Sequence, residues 1–400
     1  MKNQTESLAA YSNPTWLRQQ IEDTLQFYYP KCIDNQNGGY YQCFLDDGTI
    51  CDYNTKSLIG TSRFIYIFSI GAMIGHASWC VPAIEHGLKF LQEHHVDKEY
   101  GGLFWRLDGT KVTDSSKLTY GHAFAFLAVS KAYKAGVKAA YPLMEYLYDV
   151  AENYFFEKEH QLYLDEYNRD WSTPSSYRGQ NANMHMTEAM IAAYEATSDP
   201  KYITRAHTLA KNVTVQLTSQ SGGLIWEHYH PDWSIDWNYK EQVQSLKEFR
   251  PNGFILGHTI EWSKLLLMLE RHISEPWILE KAEELYGLGF TKGYDSSYGG
   301  IFFSLTKEEK LLDTDKSYWT IAESIGASAL FANRVESEWY KNNYEDLFSY
   351  AWKYFIDQKY GGWYQLLNRE NHKYSNVKSP VNKTDYHPIA NYFEAMRAFS

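Results

Sequence analysis

The sequence is poor in cysteine, and its few cysteines follow no metal-binding pattern. All four lie in the first fifth of the 400 residues and lack CxxC spacing: Cys32, Cys43, Cys51 and Cys80. Such an arrangement favours neither a zinc site nor a disulfide framework. We therefore expect four reduced thiols and a cytoplasmic protein.

Long apolar runs and an excess of basic charge are also missing. No apolar segment approaches the roughly 20 residues of a membrane-spanning helix, and the N-terminal stretch MKNQTESLAAYSNPTW lacks the apolar core of a signal peptide. The net charge of −11 disfavours nucleic acid and anionic membrane surfaces as partners. This charge balance fits a neutral small molecule better as ligand. Because no glycine-rich phosphate loop occurs, we expect no nucleotide cofactor.

What the sequence has in abundance is internal repetition. A short strand-like stretch recurs six times at intervals of roughly sixty residues. The third copy, QLYLDEYNRD from Gln161, has no glycine pair, whereas the other five begin with Gly-Gly at Gly38, Gly101, Gly222, Gly299 and Gly361. The interval after the fourth copy is longer because it carries an insertion, residues 230–249.

Each copy is followed by a helix that is apolar on nearly every side, and such helices are buried. The six segments are RFIYIFSIGAMIG, HAFAFLAVSKAY, HMTEAMIAAYEA, HTIEWSKLLLML, IAESIGASALFA and HPIANYFEAMRAF. A more amphipathic helix alternates with each of them, which makes twelve helices. An inner ring of six helices inside an outer ring of six is an all-α (α/α)6 barrel. Because each helical hairpin needs its neighbours, we predict one domain over residues 1–400.

Chemically active side chains occur at equivalent positions, at the start of each inner helix. In a barrel these helix starts converge, so their side chains are expected to form one site. Asn183 is interpreted as an ordinary N-cap, and His122 is the candidate most readily explained as structural. The candidates are Arg63, Tyr120, His122, Asn181, His185, His258, Glu261, Trp319, Glu323 and His387.

Two other kinds of site use the same residue types. Two His-x-x-Glu pairs, which begin at His185 and His258, are spaced for one helix face and could bind zinc or iron. However, HExxH is absent and the Glu-x-x-His order of di-iron bundles is reversed. Glu261 and Glu323 could be the carboxylate pair of a glycosidase, although the number of imidazoles argues against it. We predict that no metal is bound.

Several imidazoles at one site suit proton transfer to and from carbon, because their unperturbed pKa of about 6.5 is near neutrality. A neighbouring glutamate would fix the tautomer of each ring. Trp319, Tyr120 and Phe64 would offer aromatic walls for the C–H face of a sugar. Arg63 and Asn181 would bind its hydroxyls. Isomerisation or epimerisation of a sugar needs these parts: a base, an acid and donors that hold an enediolate.

The insertion after the fourth strand-like stretch is rich in aromatic residues. It carries two Trp, a Tyr and Phe249 in a polar segment shortly before His258. Long loops in compact domains usually carry function, and we interpret this one as a flap that shields the enediolate from water. A plain surface loop is the alternative.

Three strings resemble the N-acylglucosamine 2-epimerase superfamily: RGQNANMHMTEA from Arg178, GHTIEW (257–262) and DYHPIANYFEA (385–395). The resemblance runs over nearly the whole chain and is greatest to the metal-independent aldose–ketose isomerases. It implies an (α/α)6 barrel that acts on an unphosphorylated sugar, with His258 and His387 as the acid–base pair. The residues that would hold the substrate, tune the histidines or complete the pocket are Arg63, Tyr120, Asn181, His185, Glu261, Trp319 and Glu323.

The reaction implied by this resemblance is the interconversion of D-mannose and D-fructose through a cis-enediolate, with D-lyxose and D-xylulose as a second pair of substrates. The compact NANMH segment suggests a free hexose. Three alternatives stay open: a 2-epimerase that converts mannose to glucose, a glycosidase of the same architecture, and a non-catalytic protein-binding role. We expect a monosaccharide partner, no cofactor, and a monomer or homo-oligomer.

Overall fold

The computed structural model describes residues 11–400, and helices make up most of this part of the chain. Three helices, the third, fifth and seventh, continue into short π-helical segments at Leu91–His95, Ala151–Phe155 and Asn212–Leu217. The twelve α-helices of the described chain are α1 (Pro14–Tyr28), α2 (Leu58–Met73), α3 (Cys80–Phe90), α4 (Thr119–Lys134), α5 (Tyr141–Val150), α6 (Gln180–Thr197), α7 (Pro200–Lys211), α8 (Leu256–Glu270), α9 (Pro276–Gly293), α10 (Tyr318–Arg334), α11 (Glu338–Tyr354) and α12 (Tyr386–Ala398).

The even-numbered helices form a closed inner ring. They are buried on almost every side, as their apolar sequences predict. Each packs against the next even-numbered helix, and α12 returns to α2. The odd-numbered helices pack outside them, α3 on α2, α5 on α4, α7 on α6, α9 on α8, α11 on α10 and α1 on α12. The predicted all-α (α/α)6 barrel is therefore confirmed.

Short strands form a belt at the end of the barrel where the inner helices begin. Most of them lie in the six repeated stretches or in the segments that lead into the inner helices, and the others pair with these strands or follow them. The strands are β1 (Cys43–Leu45), β2 (Ile50–Asp52), β3 (Thr55–Ser57), β4 (Arg106–Asp108), β5 (Lys111–Asp114), β6 (Lys117–Leu118), β7 (Phe156–Glu157), β8 (Leu162–Tyr163), β9 (Glu166–Tyr167), β10 (Arg178–Gly179), β11 (His228–Tyr229), β12 (Phe254–Ile255), β13 (Ser304–Leu305), β14 (Leu311–Asp313), β15 (Lys316–Ser317), β16 (Leu366–Leu367) and β17 (Val377–Ser379).

The strand before each inner helix pairs with a strand of the next repeat. The antiparallel pairs are β3–β4, β6–β9, β10–β11, β12–β13 and β15–β16, and β17 pairs with β1, which joins the last repeat to the first. The pairing continues into the helix, because the backbone N–H of Gln180, the first residue of α6, donates to the carbonyl of Glu227. This belt fixes the starts of the inner helices relative to one another.

Buried ion pairs tie the belt to the glycine turns. In four repeats a lysine in the strand that precedes the inner helix lies 2.7–3.0 Å from an aspartate four residues ahead of the glycine pair. Glycine is required at Gly102, where φ is +70° and a Cβ would come within 2.6 Å of Trp171. The ion pairs are Lys56–Asp34, Lys117–Asp97, Lys316–Asp295 and Lys378–Asp357.

The prediction of four reduced thiols is wrong for two of them. Cys43 and Cys51 are joined by a disulfide, with their Cα atoms 5.2 Å apart. The β1–β2 hairpin is the cause, because its register places Cys43 opposite Asp52, a proximity that the sequence spacing does not reveal. Cys32 and Cys80 are free and buried, as predicted.

The described residues include no helix that is both long and apolar enough to cross a membrane. The sequence-based exclusion of a signal peptide rests largely on residues 1–10, which lie outside the described residues.

Candidate active site

The inner helices present their sixth residues as a ring of side chains. Around this ring the Arg63 guanidinium lies 4.6 Å from the Phe124 ring, which lies 4.4 Å from the His185 ring. His185 Nδ1 in turn lies 4.0 Å from Oε1 of Glu261. The repeat therefore brings predicted residues from different helices into one layer. Its members, in the order of the helices, are Arg63, Phe124, His185, Glu261, Glu323 and Asn391.

A second layer lies nearer the helix starts. Tyr120, Asn181, Trp319 and His387 are the second residues of their helices, and His258 is the third residue of α8. Tyr120 is partly buried, and the other four are no more than 9% exposed. The structure thus places nine of the ten candidates in two adjacent layers at one end of the barrel, and His122 is the exception.

His387 is held by a carboxylate on one side and faces an arginine on the other. Its Nδ1 lies 2.7 Å from Oε1 of Glu323, and its Nε2 lies 3.4 Å from Nη2 of Arg63. A guanidinium only donates hydrogen bonds, so Nε2 carries the lone pair and Nδ1–H donates to Glu323. Burial lowers the pKa of His387 well below its usual value, and Arg63 lowers it further against the opposing effect of Glu323. The ring is therefore neutral and can accept a proton at Nε2.

Glu323 is an ionised partner for His387. Burial opposes its ionisation, but Lys264 and then His387 outweigh this effect and lower the pKa of Glu323 to about 2. Lys264 forms an ion pair with its second oxygen. Asn391 donates a hydrogen bond of 2.8 Å to the first. These contacts hold the carboxylate in place beneath the imidazole.

His258 has a similar arrangement, but its carboxylate comes from the strand belt. Its Nδ1 lies 2.9 Å from Oε1 of Glu227, the residue just before β11. Gln180 donates to the other oxygen of Glu227 at 2.9 Å, and its own oxygen accepts from Nε1 of Trp262 at 2.6 Å. The glutamate that contacts the His258 ring is therefore Glu227, which the sequence analysis did not identify.

Aromatic rings surround both histidines. The Trp319 indole lies 4.9 Å from the His258 ring and 5.8 Å from the His387 ring. Tyr120 lies 5.2 Å from the ring of His185. Indole and phenol faces of this kind bind the apolar face of a sugar while polar groups engage its hydroxyls.

Glu261 differs from the other glutamates of the site. Neither of its oxygens has a hydrogen-bond partner among the described residues, and the residue is 1% exposed. Burial raises the pKa of Glu261 well above its usual value, and the charge on Glu323 raises it further. We infer that Glu261 is a neutral carboxylic acid, which can donate as well as accept a hydrogen bond.

The end of the insertion reaches the mouth of the site. The carbonyl of Phe249 accepts a hydrogen bond of 3.0 Å from Nδ2 of Asn181. The Phe249 ring lies 5.2 Å from Trp105 and 5.1 Å from Tyr120. Phe249 itself is buried, so this part of the insertion belongs to the wall of the site.

A second loop, which precedes α12, meets the insertion there. Asn382 donates through Nδ2 to Glu248 at 2.6 Å, and its carbonyl accepts from Nη1 of Arg63 at 2.7 Å. The two loops are thus joined by hydrogen bonds on the side of the site where Arg63 lies.

Three other sequence interpretations can be compared with the structure. His122 is structural, because its Nε2 accepts from the Leu103 N–H at 2.9 Å and its Nδ1 lies 2.8 Å from the Leu118 carbonyl. The interpretation of Asn183 as an N-cap is wrong, because α6 already begins at Gln180. The Asn183 side chain instead pairs with the backbone of Tyr163.

The proposed aromatic wall at Phe64 is also wrong. Phe64 follows Arg63 directly and therefore points away from the barrel centre, where its ring packs 5.2 Å from Tyr28 and 4.9 Å from Tyr40. Phe124, in the ring of sixth residues, lies beside Arg63 and His185 instead.

Sequence reasoning also missed Gln180, Lys264 and Asn391, and the repeat holds the signal that would have found one of them. Asn391 occupies the repeat position of Arg63, Glu261 and Glu323. Lys264 and Gln180 have no such register with a predicted residue, and only their contacts identify them.

Two groups of side chains have donor atoms close enough for a metal ion. They are His185 with Glu188 and Glu261, and Glu261 with Glu323 and His387, and within each group the atoms lie within 4.8 Å of one another. Glu323 is already engaged by Lys264 and His387. The absence of a metal stays a prediction from the sequence.

Comparisons with known proteins identify the family. Residues 39–391 match the family described as N-acylglucosamine 2-epimerase (GlcNAc 2-epimerase). A D-mannose isomerase of Marinomonas mediterranea is 41% identical over 396 residues, which cover 98% of this chain and 100% of that protein. A D-mannose isomerase of Pseudomonas cannabina pv. alisalensis is 30% identical over 367 residues, 89% of this chain and 86% of that protein.

Solved structures extend the comparison. A crystal structure of a D-mannose isomerase has a TM-score of 0.93 at 40% identity, covering 97% of this chain and 99% of that one. A cellobiose 2-epimerase from Bacillus thermoamylovorans has a TM-score of 0.85 at 20% identity over 96% of this chain and 98% of that one, a likeness of fold alone. The resemblance noted in the sequence is therefore confirmed, and the chain belongs to the N-acylglucosamine 2-epimerase family.

Proposed function

We propose that this protein is an aldose–ketose isomerase that interconverts D-mannose and D-fructose, with residues 1–400 acting as one catalytic domain. The observation that carries the proposal is the pair of buried histidines that both lie near Trp319, each with a carboxylate on Nδ1. The identity of 41% to a D-mannose isomerase over nearly the whole chain supports the choice of sugar.

The reaction moves one hydrogen from C2 to C1 of the open-chain sugar. A base removes the C2 proton, and its electron pair forms the C1–C2 double bond of an enediolate. Proton delivery to C1 and transfer of the O2 proton to O1 then give the ketose. Donors near O1 and O2 stabilise the intermediate most when they are preorganised in a site that excludes water.

In this proposal His387 is the base at carbon. Its neutral ring has the lone pair on Nε2 and a firm hydrogen bond to Glu323 on the other side. His258 then assists ring opening and proton transfer at the oxygens. Arg63, beside His387, and the neutral acid Glu261 supply donors for the enediolate oxygens.

The proposed alternative is 2-epimerisation, and the observation that favours it is the presence of two histidines at the site. Epimerisation must return the proton to C2 from the opposite face, and His258 and His387 come from α8 and α12, with α10 between them. Two imidazoles on separate helices could act from two faces of one carbon. Isomerisation needs a single base on one face.

The deciding experiment is incubation of the purified protein with D-mannose in D₂O, with fructose and glucose resolved over time. We expect fructose well before any glucose, and D-[2-²H]mannose in water should give fructose that retains part of the label at C1. The His387→Ala variant is the negative control. Glucose that forms first and carries solvent deuterium at C2 would instead establish an epimerase.

A cytoplasmic location also stays a proposal, supported by the sequence alone. The Cys43–Cys51 disulfide is of a kind more usual in oxidising compartments. Fractionation of the cells that make the protein tests the location. Titration of its thiols tests the disulfide, because four free thiols would contradict it.

A further inference from the structure

We propose that Glu227 is a positioning residue that fixes the tautomer and orientation of His258. Gln180, in turn, determines that Glu227 accepts the hydrogen bond from His258. The inference rests on the proposed function only in giving His258 a part in proton transfer. The tautomer of His258 and the part played by Gln180 follow from the arrangement of donors and acceptors alone.

The contact between Glu227 and His258 is the last of three hydrogen bonds that begin at Trp262. The donor and acceptor of each are fixed by the chemistry of the groups. Nε1–H of Trp262 can only donate, so the atom of Gln180 that lies 2.6 Å away must be its oxygen. The amide nitrogen of Gln180 therefore faces Glu227 Oε2 at 2.9 Å. The same nitrogen also lies 3.2 Å from Nδ1 of His258, but the shorter contact of Nδ1, 2.9 Å, is with Oε1 of Glu227. A carboxylate only accepts, so Nδ1 carries the proton and donates it to Glu227. The lone pair of His258 is thereby left on Nε2.

The place of Glu227 in the repeat explains how it reaches the site. Its backbone carbonyl accepts from the first N–H of α6, as the carbonyls of Trp105, Asp165, Phe303 and Gln365 accept from the first residues of other inner helices. This position therefore lies against the ring of helix starts in every such repeat. Glu227 is 1% exposed, and a buried carboxylate needs partners of the kind that His258 and Gln180 provide.

These donor and acceptor roles predict that an isosteric substitution of Glu227 changes the tautomer of His258. In Glu227→Gln the new amide must turn its oxygen toward the donating nitrogen of Gln180. Its NH₂ group then faces Nδ1 of His258, which has to become an acceptor. The substitution should thus move the ring proton from Nδ1 to Nε2, with almost no change in shape.

The double variant Gln180→Glu with Glu227→Gln reverses the effect. A glutamate at position 180 accepts from Trp262 and from the amide nitrogen of the new glutamine. The oxygen of that glutamine then faces His258 and again accepts Nδ1–H. The net charge of the wild-type pair is preserved as well.

The tautomer is read from two-bond ¹H–¹⁵N spectra of the ¹⁵N-histidine-labelled protein, with His258 assigned by its loss in His258→Gln. We expect Nδ1–H in the wild type, Nε2–H in Glu227→Gln and Nδ1–H in the double variant. For D-mannose turnover we expect kcat about 10- to 100-fold lower in Glu227→Gln, a part of the usual acid–base contribution. KM should be nearly unchanged, and the double variant should recover most of kcat.

Glu157→Gln is the matched control. Glu157 is a structural carboxylate of the same strand belt, paired with Arg178 at 2.7 Å, and its loss should leave both the His258 tautomer and kcat as in the wild type. The proposal is overturned if Glu227→Gln keeps the Nδ1–H tautomer, if it turns over like the wild type, or if the double variant fails to restore Nδ1–H. Because the spectra require no turnover, they judge this inference even if D-mannose is not the substrate.

Discussion

Nε2 of His387 lies 3.4 Å from Nη2 of Arg63, so the imidazole faces a permanent cation across the site. The contact disfavours a second positive charge on the ring and requires its proton to lie on Nδ1, toward Glu323. In the proposed reaction Arg63 thus prepares His387 as a base before substrate binds, and the same guanidinium then engages a substrate oxygen.

The first prediction concerns the two histidines. Replacement of His258 or His387 by Ala should lower kcat for D-mannose by about 10²- to 10⁴-fold, the usual contribution of acid–base catalysis. His94→Ala is the control, because His94 lies outside the site on a partly exposed segment. Circular dichroism should show an intact fold for all three. Turnover near that of the wild type would remove a histidine from the proposed pair.

The second prediction contrasts two buried glutamates. Glu323→Gln should lower the free energy of unfolding by about 3–5 kcal/mol, because Lys264 loses its partner in a buried ion pair. Glu261→Gln should change it by no more than about 1 kcal/mol, because a neutral acid is replaced by a neutral amide of the same shape. Urea unfolding at pH 7 measures both. Equal losses would mean that Glu261 is ionised.

The third prediction concerns stability in acid. Burial lowers the pKa of His122 to about 3, whereas in the unfolded chain it is about 6.5. Between these values only the unfolded state takes up the proton, so stability is lost as pH falls below about 6.5. Near pH 5 this one group should contribute about 1.4 kcal/mol per pH unit to the slope.

The measurement is urea unfolding of the wild type and of His122→Gln at several values between pH 7 and pH 5. The variant lacks the proton uptake and should show the shallower decline, whatever its stability at pH 7. Parallel curves would show that His122 is charged in the folded protein.

The fourth prediction concerns metal. Activity should persist after exhaustive dialysis against a chelator, because imidazoles and a neutral carboxylic acid supply the acid, base and donors of the proposed reaction. Elemental analysis should find no stoichiometric zinc, iron or manganese. Activity that is lost on dialysis and restored by one added metal would assign an ion to Glu261 and its neighbours.

The fifth prediction concerns the insertion. Replacement of residues 234–245 by a short linker, with Glu248 and Phe249 kept, should lower kcat more than it lowers the free energy of unfolding. The proposed reason is that water then reaches the enediolate. The Phe249→Leu variant tests the anchored end of the loop separately. Unchanged kinetics in the shortened protein would leave the insertion as a surface loop.

Much of this architecture could be predicted from the sequence because its signals are local. Helices that are apolar on every side must be buried, and the repeated strand-like stretches count the hairpins directly. Equivalent positions in a closed ring must converge, which is why the sequence alone predicts that Arg63, His185, Glu261 and Glu323 lie close together.

The partner of each histidine could not be predicted from the sequence. His258 and Glu227 are separated by 31 residues, and His387 and Glu323 by 64. The sequence offers several glutamates as possible partners for each imidazole. The choice among them depends on the angles at which helices and strands pack. The pairing of Cys43 with Cys51 depended in the same way on a hairpin register that eight residues of spacing do not specify.

The sequence by itself determined the barrel, the end at which the candidate site lies, and most of the side chains that meet there, because burial and repeat spacing are properties of single segments. Only the tertiary structure decided which carboxylate contacts which histidine, that Phe124 rather than Phe64 lies beside Arg63 and His185, and that Glu261 has no hydrogen-bond partner within residues 11–400. Those outcomes depend on side-chain directions and desolvation, which arise only when the six repeats close on one another.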